Sequence, residues 1–231
     1  MKILFISNRY APAVGGVETV TCLLGEALAE AGHEITIVTR ERGKRRGRAE
    51  VLRRPGLLRL FHRYVMADAI VVQGATLRLG WPLLWLRRCA LMVHHMLPAL
   101  ADGQGASWRG KLCGRVRHAT VSRAMAKQLP WPVHAILPNP YDAKTFRINE
   151  KVVRARDVVF VGRLIPEKGA HVLLEALGML QEGGLKLTAS VVGEGPEYNG
   201  LLQLAAVRRL NERVRFLGQV TGEALAEQLN R

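Results

Sequence analysis

Along the chain, apolar and polar positions keep changing rhythm, from short continuous runs to a three- and four-residue beat. Lys2–Ser7 is an apolar run cut off by Asn8-Arg9, and it predicts a buried strand. Val20, Leu23, Leu24, Ala27, Leu28 and Ala31 then recur at helical spacing, which predicts a helix over Val17–Ala31 with Gly32 ending it. The alternation goes on. Glu34–Thr39, Ala49–Arg53, Ala69–Gln73, Ala90–His94, Ala119–Ser122 and Val133–Leu137 read as strands. Leu57–Met66, Leu79–Arg88, Trp108–Arg117 and Arg123–Leu129 read as the helices between them, with Pro82 placed in a first turn. Ala69–Gln73 is unbroken by polar residues, as a strand buried on both faces requires. Arg40–Arg48 has too little apolar content for a core and reads as an exposed loop.

Pro138-Asn139-Pro140-Tyr141-Asp142 interrupts this pattern, and Ala143–Arg156 is polar, so a linker is expected there. The alternation then restarts. Strands are expected at Val158–Val161, Lys186–Val192 and Val214–Leu217, and helices at His171–Gln181, Glu197–Val207 and Glu223–Leu229. Alternating strands and helices predict an α/β fold built on doubly wound parallel sheets. The expected domains are residues 1–150, a Rossmann-like domain with its linker, and residues 151–231, the first part of a second such domain. Three βα pairs fall short of the five or six strands usual for such a sheet. The second domain is therefore expected to be incomplete, with an open edge and an apolar surface that favours self-association.

Composition narrows the class. The 231 residues are 48% hydrophobic and 23% charged, which is globular and excludes a disordered or collagen-like chain. The longest apolar runs, Ala69–Val72 and Trp81–Leu86, are far below the ~20 residues of a spanning helix. The opening run is too short for a secretory leader. Cys22, Cys89 and Cys113 are odd in number and widely spaced, matching neither a disulfide framework nor a zinc site, so reduced thiols in the cytoplasm are expected.

Charge adds a partner class. The formal net charge is +15, and residues 1–150 hold 23 Lys and Arg against 10 Asp and Glu. Arg40–Arg63 contains ten basic residues and two acidic ones. Such a patch favours anionic partners. An anionic membrane surface fits it, with Trp81–Leu86 between Arg78 and Arg87-Arg88 as an interfacial wedge. Specific nucleic-acid binding fits less well, because the patch has little aromatic interleaving and no recognised binding motif.

Three loops carry candidate chemistry. Gly15-Gly16-Val17-Glu18 follows the first strand. It reads either as a loop that lets backbone approach an anion at a helix N-terminus, or as a tight turn with Glu18 complementing the helix dipole. It is not the G-x-G-x-x-G fingerprint, which argues against a nicotinamide enzyme. Phe160–Gly169 follows a strand and precedes a helix. Arg163 can fork onto phosphate oxygens, and Lys168 adds a point charge five residues on. Gly193-Glu194-Gly195-Pro196-Glu197 is a turn after the next strand, where Glu194 or Glu197 either faces a sugar or ribose or simply starts a helix.

In order along the chain, the opening strand with Pro12 and Gly15–Glu18, Val93-His94, Val121-Ser122, Leu137–Asp142, Phe160–Gly169, Gly193–Pro196 and Val214–Gly218 resemble the family 4 (group 1) glycosyltransferases of the GT-B fold. The resemblance implies a retaining transferase. It would move a sugar from a nucleotide-sugar donor to a sugar or lipid-linked acceptor, without a metal or other cofactor in the site. It implies donor-diphosphate contacts from Gly15, Gly16, Arg163 and Lys168, nucleotide or sugar contacts from Glu194 and Gly195, and a catalytic role beside the transferred sugar for His94. It further implies a cytoplasmic protein at the inner membrane face, in polysaccharide biosynthesis. His95 stands where the family commonly has an acidic residue, and the family's Glu-x7-Glu element is absent from the sequence. The alternative is an inactive truncated remnant that serves only as a binding or assembly module.

Overall fold

The computed structural model describes residues 1–13, 15–43, 47–74, 76–97 and 108–231. Lys44, Arg45 and Arg46 of the basic stretch lie outside the described residues. The chain divides into two units, Met1–Tyr141 and Asp142–Arg231.

Successive residues of a strand point to opposite faces of its sheet, and both faces of β1 (Lys2–Ser7) are covered. Ile3 and Phe5 join Ile35 and Ile37 of β2 (Glu34–Thr39) in a core completed by Leu24 and Leu28 of α1 (Gly16–Glu30). Leu4 and Ile6 join Val38 of β2, Leu52 of β3 (Glu50–Arg53) and Leu60 and Tyr64 of α2 (Leu57–Met66) in the other core. This two-sided burial requires the unbroken apolar runs seen in the sequence. β4 (Ala69–Gln73), β5 (Ala90–His94), β6 (Arg117–Thr120) and β7 (Val133–Ile136) complete a parallel sheet of order β3-β2-β1-β4-β5-β6-β7. The chain runs outward from β1 to β3, then returns to β1's other side with β4. The β1/β4 junction is thus the point where strand order reverses, and in open α/β sheets ligands bind outside the strands' carboxyl ends at that point.

The second unit repeats the scheme on a smaller scale. β8 (Val158–Val161), β9 (Ala189–Val192) and β10 (Val214–Gly218) form a parallel sheet of order β10-β9-β8. Leu174 and Leu177 of α6 (Ala170–Glu182) and Leu201 and Ala205 of α7 (Tyr198–Val207) pack with Val191 and Val214. Arg208, just past α7, crosses Gly178 of α6 to pair with Glu175 and, at 3.8 Å, with Glu182. The final helix of this unit is α8 (Gly222–Asn230). β8 and β10 are its outer strands, and Val161 is 46% exposed.

Five sequence expectations shift. The helix expected over Leu79–Arg88 is a short α3 (Leu77–Gly80) followed by a 3-10 turn at Trp81–Leu84. Pro82 has no N–H to continue a helix, and its carbonyl instead accepts from the amides of Trp85 and Leu86 at 3.1 and 2.8 Å. β6 ends at Thr120 rather than Ser122, because the Ser122 hydroxyl accepts from Met125 N (3.2 Å) and caps α5 (Arg123–Ala126). The expected helix over Trp108–Arg117 stops as α4 (Trp108–Cys113). β9 starts at Ala189, since the amide and hydroxyl of Thr188 both bond Asp157 Oδ2 at 2.8 Å. Residues 142–150, read with the first domain, go with the second unit. Asn149 N donates to Asn230 Oδ1 (2.7 Å), and Asn230 Nδ2 donates to Arg147 O (3.0 Å), so α8 holds them.

Candidate functional site

In the first unit, polar side chains gather at the carboxyl end of the sheet, around the β1/β4 junction. Ser7 and Gln73 pair in register as the last residues of β1 and β4. Ser7 Oγ donates to Arg9 O at 2.6 Å, and Thr76 Oγ1 donates to Asn8 Oδ1 at 3.0 Å. Gln73 Oε1 lies 2.6 Å from His95 Nε2. Gln73, Thr76 and Ser7 are all buried. Gln73 Nε2 is buried with no hydrogen-bond partner among the described residues.

Gly15 and Gly16 sit at the same end of the sheet, where α1 begins. The buried Glu18 folds its carboxylate back over Gly15, so a Cβ there would collide with it. Beyond Gly16 there is open space. Gly16 therefore presents bare backbone at a helix start, the arrangement an anion needs, while the Glu18 carboxylate already covers Gly15.

His94, the last residue of β5, is only 3% exposed. Its Nε2 lies 2.9 Å from His118 Nδ1, and His118 Nε2 lies 2.9 Å from the Cys113 carbonyl. A carbonyl only accepts, so His118 carries its proton on Nε2 and accepts at Nδ1. His94 therefore donates from Nε2. Trp131 stacks on both rings, 6.0 Å from His94 and 5.2 Å from His118. Burial, together with His118 and His95, pushes His94 down to about 4, so the ring is neutral near pH 7. Burial likewise lowers His118, against the opposing effect of the Cys113 carbonyl.

The basic stretch is partly absorbed by the fold. Arg53 donates to Glu41 O (3.2 Å) and Ala11 O (2.8 Å), and Arg63 pairs with Glu50 at 2.8 Å. Arg40, Arg42, Arg54 and Arg59 remain exposed. Next to them, Leu57 and Leu58 at the start of α2 are 69% and 89% exposed, and Trp85 is 79% exposed. Phe61 stacks on Trp81 at 6.0 Å and bridges the two elements.

In the second unit, the loops after β8, β9 and β10 are sewn together backbone to backbone. Gly162 N donates to Val192 O (3.0 Å), Leu164 N to Glu194 O (2.9 Å), Glu197 N to Leu164 O (3.2 Å) and Gly193 N to Gly218 O (2.8 Å). Gly193 has φ +143°, and a Cβ on it would strike the Gly162 carbonyl; one on Gly195 would strike that of Leu164. The turn at Gly193–Glu197 is thus a close-packed clasp that fixes the loop bearing Arg163. Arg163 and Lys168 are exposed and form no ion pair among the described residues, and Gly169 (φ +72°) turns the chain directly into α6. Glu194 is exposed, while Glu197 has a buried Oε2 without a partner among the described residues.

The structure thus brings Gly15 and Gly16 to one edge of the first unit, and Arg163, Lys168, Glu194 and Gly195 to one edge of the second. Sequence reading missed Gln73, the pairing of His95 with it, and the His118–Trp131 setting of His94. Gln73 had a usable signal, a polar residue closing an otherwise apolar strand. Among the described residues no group of three or more His, Cys, Asp or Glu is placed to hold a metal ion. No helix there is long and apolar enough to cross a membrane.

Comparison with known proteins places this arrangement. Residues 142–231 match the family described as glycosyl transferases group 1. The phosphatidylinositol N-acetylglucosaminyltransferase GPI3 subunit of Saccharomyces cerevisiae is 27% identical over 103 residues, a match covering 41% of this chain and 23% of that protein. Among solved structures, a glycosyltransferase from Rickettsia africae superposes with a TM-score of 0.73 at 14% identity, covering 99% of this chain and 70% of that one. AviGT4, a glycosyltransferase involved in avilamycin A biosynthesis, gives 0.64 at 20% identity, covering 99% and 66%. WaaG, a glycosyltransferase involved in lipopolysaccharide biosynthesis, gives 0.64 at 14% identity, covering 97% and 71%. The chain has the GT-B fold, and residues 142–231 are similar to the group 1 glycosyl transferases.

Proposed function

We propose that the protein is a retaining glycosyltransferase that moves a sugar from a nucleotide-sugar donor to a sugar or lipid-linked acceptor. The observation that carries this reading is the pair Arg163 and Lys168: two exposed cations without ion-pair partners among the described residues, on a loop clasped by glycines and leading into α6. As the glycosidic bond to the donor breaks, negative charge builds on the departing diphosphate. Cations already fixed there stabilise that charge without reorganising. Within the first unit, the bare backbone at Gly16 offers N–H donors to an anion at the start of α1. Glu194 and Gly195 contact the nucleotide or sugar. His94, whose Nε2 is engaged by His118, would meet the transferred sugar through Nδ1 as a neutral hydrogen-bond acceptor. The chemistry calls for no metal or other cofactor, because side chains and backbone supply the charge stabilisation.

Calorimetric titration of the whole chain with UDP, GDP and ADP tests the donor side. At least one diphosphate should bind, and Arg163→Ala should weaken it tenfold or more, as expected for loss of a charge-assisted fork (about 1.4 kcal/mol or more). Equal binding by the variant would remove Arg163 from the site. The first unit would meet its acceptor at an anionic membrane surface. The observation favouring this is the exposed Leu57, Leu58 and Trp85 beside exposed arginines.

A further inference from the structure

We propose that Gln73, oriented by His95, is a hydroxyl-binding residue at the strand-order reversal of the first sheet, where it holds one hydroxyl of the acceptor sugar. The inference rests on the reading of the first unit as the acceptor side of a glycosyltransferase.

Three observations converge on it. First, Gln73 closes β4 beside the end of β1, where open parallel sheets bind ligands. Second, its carboxamide is only half satisfied. Oε1 is engaged by His95 Nε2 at 2.6 Å, while Nε2 is buried and without a partner among the described residues. A buried donor left unmade carries its full desolvation cost, so a missing partner is indicated. Turning the amide round does not remove the problem. Gln73 Nε2 would then donate to His95 Nε2, and Oε1 would be the orphan. The pair thus offers its ligand either a donor or an acceptor, depending on which imidazole nitrogen holds the proton. A hydroxyl, itself both donor and acceptor, can meet either state.

Third, the surrounding groups suit a neutral polyol. Asn8 and Thr76 bond each other at 3.0 Å beside the same strand ends, and burial works against a charge on His95.

The test separates binding by Gln73 from mere support of His95. Gln73→Glu keeps an oxygen for His95 but removes the amide donor; Gln73→Ala removes both. The whole chain, with 15N-labelled glutamine, would be titrated with methyl α-glucopyranoside and with methyl α-mannopyranoside. The expected result is a shift of the Gln73 side-chain amide with at least one glycoside, and about tenfold weaker binding in Gln73→Ala, which offers neither donor nor acceptor. If backbone signals of the first unit move but the Gln73 amide does not, or if Gln73→Ala binds equally well, this inference falls and the acceptor-side reading stands. If neither glycoside moves any signal of the first unit, both fall.

Discussion

His94 combines two properties that are separable by pH. Its ring is neutral because burial and two neighbouring imidazoles penalise the charge, which lowers it from 6.5 to about 4. Between those values the unfolded chain binds a proton that the folded chain refuses. Stability is therefore full above the unfolded value and falls as pH drops from about 6.5 towards 4, by up to ~3 kcal/mol from this residue. Urea unfolding at pH 7 and pH 5 should show about 2 kcal/mol of that loss in the wild type and a smaller one in His94→Gln. Equal losses would show that His94 is not the group responsible. At this scale the sequence was half legible. A histidine at a strand end is visible in one dimension. Its partner His118 and the Trp131 plane come from other segments, 24 residues away for His118, and only the sheet register brings them together. That Arg163 and Lys168 share one exposed loop was legible because the loop is local, flanked by a strand and a helix that the apolar pattern announces.

Elements show where periodicity is a sufficient guide and where it is not. Strands buried on both faces, such as β1 and β4, were read correctly because nothing polar interrupts them. The stretch after β4 was read as one helix and is two short pieces, since backbone chemistry at Pro82 outweighs the apolar spacing around it. That break produces a surface. It leaves Trp85 79% exposed, next to an α2 whose first turn exposes Leu57 and Leu58. α2 follows β3 and begins at the carboxyl end of the sheet, the end that also carries Gln73 and Gly15. An apolar rim with Arg54 and Arg59 beside it is suited to an anionic bilayer, each cation contributing ~1 kcal/mol near the headgroups. The chain should float with vesicles containing phosphatidylglycerol at low salt and less so at high salt. Leu58→Glu combined with Trp85→Glu should lower the bound fraction further. Absence of binding at low salt would end the membrane reading.

For the whole molecule, the two units divide the chemistry as well as the fold. The first holds most of the positive charge and a neutral polar cluster at its strand-order reversal. The second holds an exposed cationic loop fixed by the packing of Gly193 and Gly195 against neighbouring backbone. The α/β class and the GT-B type were legible because motifs recur in order over nearly the whole length. The clasp between loops was not, because it depends on three strand ends lying side by side. The central claim is that these parts catalyse glycosyl transfer rather than only bind. The most direct measurement is release of nucleoside diphosphate from UDP-, GDP- and ADP-linked sugars by the whole chain, beside Arg163→Ala. The account predicts release from at least one donor and a fall of ~10²-fold in the variant. Tight diphosphate binding with no release above the variant's level would contradict it and leave a binding module in its place.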